Sequence, residues 1–209
     1  MFGRKKKERE ARSVSVFSDL QLNDLIVFKP RDVLPNGISD ETLTVEKIGA
    51  YDFDEDLSAD FTLRHASGQR FSAAYDSDEN TITFGRKLKR SEVLGIFDED
   101  DFANVFDGGL SQVNLQASVE NVPEDLQLWI DESYQRTVAD GIAYYYESDR
   151  REQGVSAYKD GSQQFTYFEL EGGNDRNSLS IEIWSDGETD VYCEVTVKAN
   201  VVDTYLCHD

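Results

Sequence analysis

Leu179-Ser180-Ile181-Glu182-Ile183-Trp184-Ser185-Asp186-Gly187-Glu188-Thr189-Asp190-Val191-Tyr192-Cys193-Glu194-Val195-Thr196-Val197-Lys198 holds the pattern that decides the fold. Aliphatic side chains recur at every second position over Leu179–Trp184, and again over Val191–Lys198. Val, Ile, Tyr and Thr dominate both runs, as a pleated, half-buried surface requires. Between them Ser185-Asp186-Gly187-Glu188 carries an Asp-Gly pair, which supplies the positive φ of a tight hairpin turn. Two antiparallel strands joined by a short turn follow.

The same period of two continues outward. Strands are predicted at Leu25–Phe28, Leu43–Ile48, Phe61–His65, Phe71–Tyr75, Ile82–Phe84, Gly141–Tyr146, Val155–Tyr158 and Phe165–Leu170. Acidic or Gly-containing turns separate them, such as Asp76-Ser77-Asp78-Glu79-Asn80 and Gly172-Gly173-Asn174-Asp175. Short strands broken about every ten residues imply a mainly β protein, an antiparallel sandwich or barrel. One short helix is expected over 91–106, with Ser91 as cap, Leu94, Phe97, Phe102 and Phe106 near one face, and Gly108-Gly109 as stop. Over Pro123–Arg136 two readings compete: Pro123-Glu124-Asp125 resembles a helix start, whereas Leu126, Leu128 and Ile130 alternate and lead into Tyr134, and strand is favoured. Phe61-Thr62-Leu63, Ser72 and Ile82 parallel Phe165-Thr166-Tyr167, Ser180 and Val191, at an offset that grows from 104 to 109 residues. Two related β-modules are therefore expected, 17–108 and 109–209, behind a basic tail over 1–16; two unrelated meanders would look similar.

Charge limits the partners. Residues 1–12 hold six basic side chains (Arg4, Lys5, Lys6, Lys7, Arg9, Arg12) against two acids, a net +4, and the other residues carry 15 basic and 40 acidic groups. A body at −25 repels phosphate backbones, which excludes nucleic acid and favours a protein partner with a basic surface. The basic tail is read as an exposed leader with at most weak peripheral contact with anionic lipid. No apolar run reaches the roughly 20 residues that span a bilayer, and no signal peptide is recognised, so a cytoplasmic protein is expected, peripheral at the inner membrane if the tail binds lipid.

No residue constellation names a reaction. Asp52-x-Asp54-x-Asp56 and Asp76-x-Asp78-x-Asn80 share the first spacings of a calcium loop but lack its Gly and its bidentate Glu. Cys193, Cys207, His65 and His208 lack the paired spacing of a zinc site. His65 reads as a hydrogen-bonded strand-end residue. Cys207-His208-Asp209 has the residue types of a triad, but consecutive strand residues point to opposite faces. No catalytic residue, metal or cofactor is assigned. The aromatics offer more: Trp129, Tyr134, Tyr144, Tyr146, Trp184 and Tyr192 either support a second packed layer or form a docking patch.

Trp129-x-x-Glu132-Ser133-Tyr134-x-Arg136, Ala143-Tyr144-Tyr145-Tyr146-x-x-Asp149-Arg150, Phe165–Leu170 and Leu179–Trp184 resemble an uncharacterised bacterial family, a domain of unknown function. Its genes accompany phage-shock-protein-A-like membrane-stress genes. Leu20-Gln21-Leu22-Asn23-Asp24 through Phe84 are similar to that family's N-terminal strands. The resemblance implies a β-rich accessory protein working with a partner at the inner membrane face. Two functions follow as expectations. The first is a non-enzymatic interaction module using the six aromatics; the second is a binder or enzyme for a small, polyamine-like cation in a carboxylate-lined cleft. A deep cleft with converging carboxylates would favour the second.

Overall fold

β-Branched and aromatic residues at alternating positions form eleven antiparallel strands among the described residues of the computed structural model, 12–53, 56–108 and 112–208. The first half supplies β1 (Leu25–Phe28), β2 (Thr42–Phe53), β3 (Asp56–Arg64), β4 (Arg70–Asp76) and β5 (Thr81–Lys87). Two short helices, α1 (Arg90–Ile96) and α2 (Glu99–Ala103), lead to the second half. It supplies β6 (Asn114–Gln116), β7 (Ser133–Tyr146), β8 (Gln163–Gly172), β9 (Asn177–Trp184), β10 (Thr189–Lys198) and β11 (Val202–Leu206).

Two four-stranded meanders, β2–β5 and β7–β10, join edge to edge. β5 pairs with β10 over seven residue pairs, from Tyr192 opposite Lys87 to Lys198 opposite Thr81. β2 meets β7 over only three pairs: Ala50 with Tyr146, Tyr51 with Tyr145, and Asp52 with Tyr144. The result is a closed eight-stranded barrel. β1 extends it beside the start of β2 and carries β11, while β6 flanks the start of β7.

Each ring strand has an apolar face and a polar face, and partners outside the ring identify which is which. Phe17 packs on Phe61 (5.1 Å between ring centres), Phe28 on Phe84 (5.4 Å), Trp129 on Phe71 (5.7 Å) and Phe106 on Phe168 (5.3 Å). The apolar face therefore points outward, beneath a cover of residues 12–20, β1 and residues 88–108 and 112–130. The other face points into the lumen. There Tyr51 of β2 reaches Phe165 of β8 (5.7 Å), and Phe53 reaches Tyr167 (5.2 Å), across the intervening β7.

Several sequence expectations change. The single helix expected over 91–106 is broken at Phe97, which is extended and bridges to Ala117. Asp98 then caps a second helix, accepting from the Asp100 and Asp101 amides at 3.0 and 3.1 Å. Leu126–Ile130 is a tight turn rather than a strand, with the Trp129 and Ile130 amides both bonded to the Leu126 carbonyl. Pro123 starts that turn, and its winding brings Leu126, Trp129 and Ile130 into the core while Leu128 stays exposed. Val155–Tyr158 is a loop in which the Ser156 hydroxyl accepts from the Tyr158 and Asp160 amides. The repeated segments lie on equivalent strands, β3 and β8, β4 and β9, β5 and β10. Yet Phe61 faces outward and Phe165 faces the lumen, because a one-residue slip reverses a strand's faces. β11, from the second half, pairs with β1 of the first.

Arg12 is not part of a free tail. Its guanidinium binds the carboxylate of fully buried Asp24, which also accepts from the Gln21 amide (2.8 Å) and the His208 amide (2.9 Å). Arg12 and His208, the first and last of the described residues, are thus tied to one side chain. Arg4, Lys5, Lys6, Lys7 and Arg9 lie outside the described residues.

Closure at the short seam depends on a missing side chain. A Cβ on Gly49 would stand 2.4 Å from the Tyr145 hydroxyl and 2.9 Å from the Tyr146 carbonyl. Gly49→Ala is expected to cost about 1–3 kcal/mol in denaturant unfolding. The double variant with Tyr145→Phe should lose less than the sum of the two single changes, since the hydroxyl is the nearest of the three obstructing atoms, the others being the Tyr145 ring carbon at 2.8 Å and the Tyr146 carbonyl.

Candidate functional site

The polar positions of the opening hairpin line the lumen. Going round the barrel, Glu182 sits opposite Tyr167 on β8 and Asp190 on β10, and Glu194 sits between Ser178 on β9 and Gly85 on β5. Asp60 joins them from β3, opposite Gly49. At one end of β8 and β9 the lumen is filled by rings: Phe165 and Trp184 lie 4.9 Å apart, Tyr145 and Trp184 6.1 Å, and Tyr51 and Tyr145 4.8 Å. At the other end, beside the β8–β9 turn, it opens into a cavity of about 430 Å³.

Four carboxylates line that cavity, Glu169, Glu171, Asp175 and Glu194, against a single guanidinium, that of Arg176. Thr83, Ser178 and Thr196 add hydroxyls. The Ser178 hydroxyl donates to Glu194 at 2.8 Å, and Thr83 and Thr196 bond each other across the β5–β10 seam at 2.8 Å. Arg176 bonds the Val33 carbonyl at 3.2 Å. Deeper, Asp60 accepts a long bond of 3.4 Å from the Tyr145 hydroxyl, and Tyr51 faces Glu182. The Oε2 atom of Glu182, a residue only 4% exposed, has no hydrogen-bond partner. Among the described residues, no Lys or Arg comes within 4 Å of the Asp60, Glu169, Glu182 or Glu194 carboxylates.

Burial of unpaired carboxylates disfavours their charged form. It pushes Asp60 up to about 6, against the pull of the Tyr145 hydroxyl and the Lys47 charge. It pushes Glu182 up to about 7, with Asp190, Asp60 and Glu194 adding repulsion and Tyr51 opposing. Glu194 also rises to about 7 through burial, helped by Glu169 and Asp60 and opposed by the Ser178 bond. Glu169 is raised by burial and by Glu171. The hydroxyls of Tyr51, Tyr145 and Tyr192 are all raised, first by burial and then by these carboxylates.

The six aromatics of the expected docking patch do not share a surface. Trp129 is fully buried and stacks on Phe71 at an interplanar angle of 7°. Tyr134 is in the core, its hydroxyl accepting from the Asp131 amide at 2.7 Å. Tyr146 is fully buried beneath the Arg150 guanidinium. Trp184 and Tyr192 belong to the lumen. Only Tyr144 lies on the outer face away from the core, under the Lys159 ammonium at 5.2 Å. The set is divided among core, lumen and surface and forms no one exposed patch: the outer layer covers Trp129, Tyr134 and Tyr146, and the ring turns Trp184 and Tyr192 inward.

The other sequence candidates have structural roles. His65 closes the β3–β4 turn, taking the Ser67 amide on Nδ1 at 3.1 Å and pairing Nε2 with Glu41 at 3.0 Å. Cys193 and Cys207 are both free. Asp52 pairs with Lys159 at 2.7 Å, and among the described residues no group of three His, Cys, Asp or Glu side chains is close enough to hold a metal ion. Nor is any helix among the described residues long and apolar enough to cross a membrane. Asp60, Glu182 and Glu194 were missed because alternation marks their positions as solvent-facing. A signal was present: the same strand faces carry Gly49, Ser72, Gly85, Ser178 and Ser180, smaller residues than an open surface needs. No family model matches this chain, nor does any curated protein or solved structure.

The lumen should make folding stability fall with rising pH. An acid whose pKa is higher when folded binds more protons in the native state, so its contribution is full below the unfolded value and lost as pH climbs to the folded one. For Asp60, Glu182 and Glu194 that window runs from about 4 to about 7. Glu182→Gln and Glu194→Gln should each stabilise the protein at pH 8, by up to about 2–3 kcal/mol, and be near neutral at pH 4. Urea unfolding at both pH values measures this; equal effects at the two would contradict it.

Proposed function

We propose that the barrel is a binding module for a small organic cation, held at the mouth by Glu169, Glu171 and Glu194. The observation that carries this reading is the cavity of about 430 Å³ with four carboxylates and one guanidinium on its walls, Glu169 and Glu194 having no Lys or Arg within 4 Å among the described residues. A cation entering there would pass the exposed Glu171 and Asp175 and meet Glu169 and Glu194, which the fold has partly withdrawn from water, so little reorganisation is needed.

The spacing of the acids sets the ligand's shape. No three of them converge tightly enough for one metal ion, which favours a molecule with amines some ångströms apart, such as a diamine or triamine. The hydroxyls of Thr83, Thr196 and Ser178 suit the N–H groups between or beside such charges. Binding is the proposed role: the Ser178 hydroxyl is held by the Glu194 carboxylate at 2.8 Å, and both oxygens can accept from a ligand's N–H groups. With three of its six anchors in the core, an aromatic docking surface has less support.

Calorimetry with spermidine and 1,4-diaminobutane at pH 8 and low salt tests the proposal. One-to-one binding is expected, weakened at least tenfold by Glu194→Gln and not reproduced by magnesium at equal ionic strength. Absence of heat with every amine would overturn it, as would unchanged affinity in Glu194→Gln.

A further inference from the structure

The deep carboxylates raise a second question, since they lie behind the mouth and line no part of its cavity. Glu182 is almost wholly buried, its Oε2 has no partner, and Asp60 is 7% exposed with one long hydrogen bond. An unpartnered carboxylate oxygen sealed in a barrel is most simply satisfied by carrying a proton, since protonation removes the charge that burial penalises.

The surroundings of Glu182 leave it no other counter-charge. β2 presents the Tyr51 hydroxyl and, toward Asp60, the Lys47 charge. β3 presents Asp60 and β7 the Tyr145 hydroxyl beside it. β8 presents Tyr167 and Glu169. β10 presents Asp190, Tyr192 and Glu194, and β5 sends Lys87 to Asp190 rather than to Glu182. Glu194 belongs to both groups: it lines the mouth cavity and interacts with Asp60 and Glu182. Charge arriving at Glu194 is therefore felt by the deep pair.

We propose, resting on the cation-binding reading above, that the mouth takes up its organic cation in exchange for protons held by the Glu182–Asp60–Glu194 cluster. In the exchange a carboxyl O–H breaks, the proton passes to bulk water or buffer, and the carboxylate left behind is balanced by the incoming ammonium. The net charge in the lumen rises by the ligand's positive charge less the number of protons released. The module loads as the medium becomes less acidic and unloads as it acidifies, while the ligand's own amines, with pKa values near 10, stay charged throughout.

Two measurements on the full-length protein test this. Titration calorimetry with 1,4-diaminobutane at pH 6, 7 and 8, in buffers of different ionisation enthalpy, counts the protons released. About half a proton or more per ligand at pH 7 is expected, with affinity rising at least fivefold from pH 6 to pH 8. Glu182→Gln should still bind, because Glu194 remains at the mouth, but with fewer protons released and a flatter pH profile. Carbon-13 NMR of the side-chain carboxyls without ligand should show at least two groups titrating above pH 6. Binding without proton release would overturn the exchange and leave the cation reading standing. Carboxyls that all titrate below pH 5 would also overturn it. No binding at pH 8, with carboxyls titrating near 7, would overturn the cation reading and the exchange together.

Discussion

Everything in this fold depends on closing eight strands into a ring. An eight-stranded barrel has an interior just wide enough for side chains to fill. Here the closure is uneven: β5 and β10 zip together over seven pairs, whereas β2 and β7 touch over three. The short seam holds because Gly49 leaves room for Tyr145; on the neighbouring β7–β8 ladder Gly141 likewise leaves room for the Tyr167 ring, which a Cβ would approach to 2.4 Å. Where large rings enter the lumen, the opposite strand gives up its side chain. Where none enters, at the β8–β9 end, a cavity remains.

The strands were legible because their period of two needs nothing beyond neighbouring residues. Leu179–Lys198 shows this best: the Asp186-Gly187 turn falls where expected, with Gly187 at a φ of +87°. Which face of a strand is inside is a property of the whole sheet, and there alternation misleads. Glu182, Glu194 and Asp60 occupy positions that an open sheet would give to water. The ring turns those positions inward, and a second layer covers the apolar ones. The chain between the meanders was harder to read, because its short turns compete locally: Asp98 stops one helix by capping the next.

The same inversion explains the aromatics. Tyrosines on both faces of Tyr144-Tyr145-Tyr146 looked like surplus apolar surface. Each has a separate duty: Tyr144 under Lys159, Tyr145 in the lumen, Tyr146 sealed beneath Arg150. A strand with two covered faces reads as hydrophobic on both, and only the ring shows that one cover is other strands and the other is a separate layer.

The arrangement also divides labour between the two faces. The continuous hydrophobic cluster runs through Phe17, Phe28, Phe71, Phe84, Trp129 and Phe168, all outside the lumen. Burial of that face at roughly 25 cal/mol per Å² supplies the stabilisation. Desolvating three carboxylates opposes it. A protein that needed only stability would fill so narrow a lumen with Leu and Val, since replacing buried charged groups by well-packed apolar ones is commonly neutral or stabilising. Retaining Glu182 with an unpartnered oxygen is a cost the outer layer can bear, and protonation of the carboxyl lowers it. The lumen is therefore the part of this molecule whose chemistry is not explained by folding.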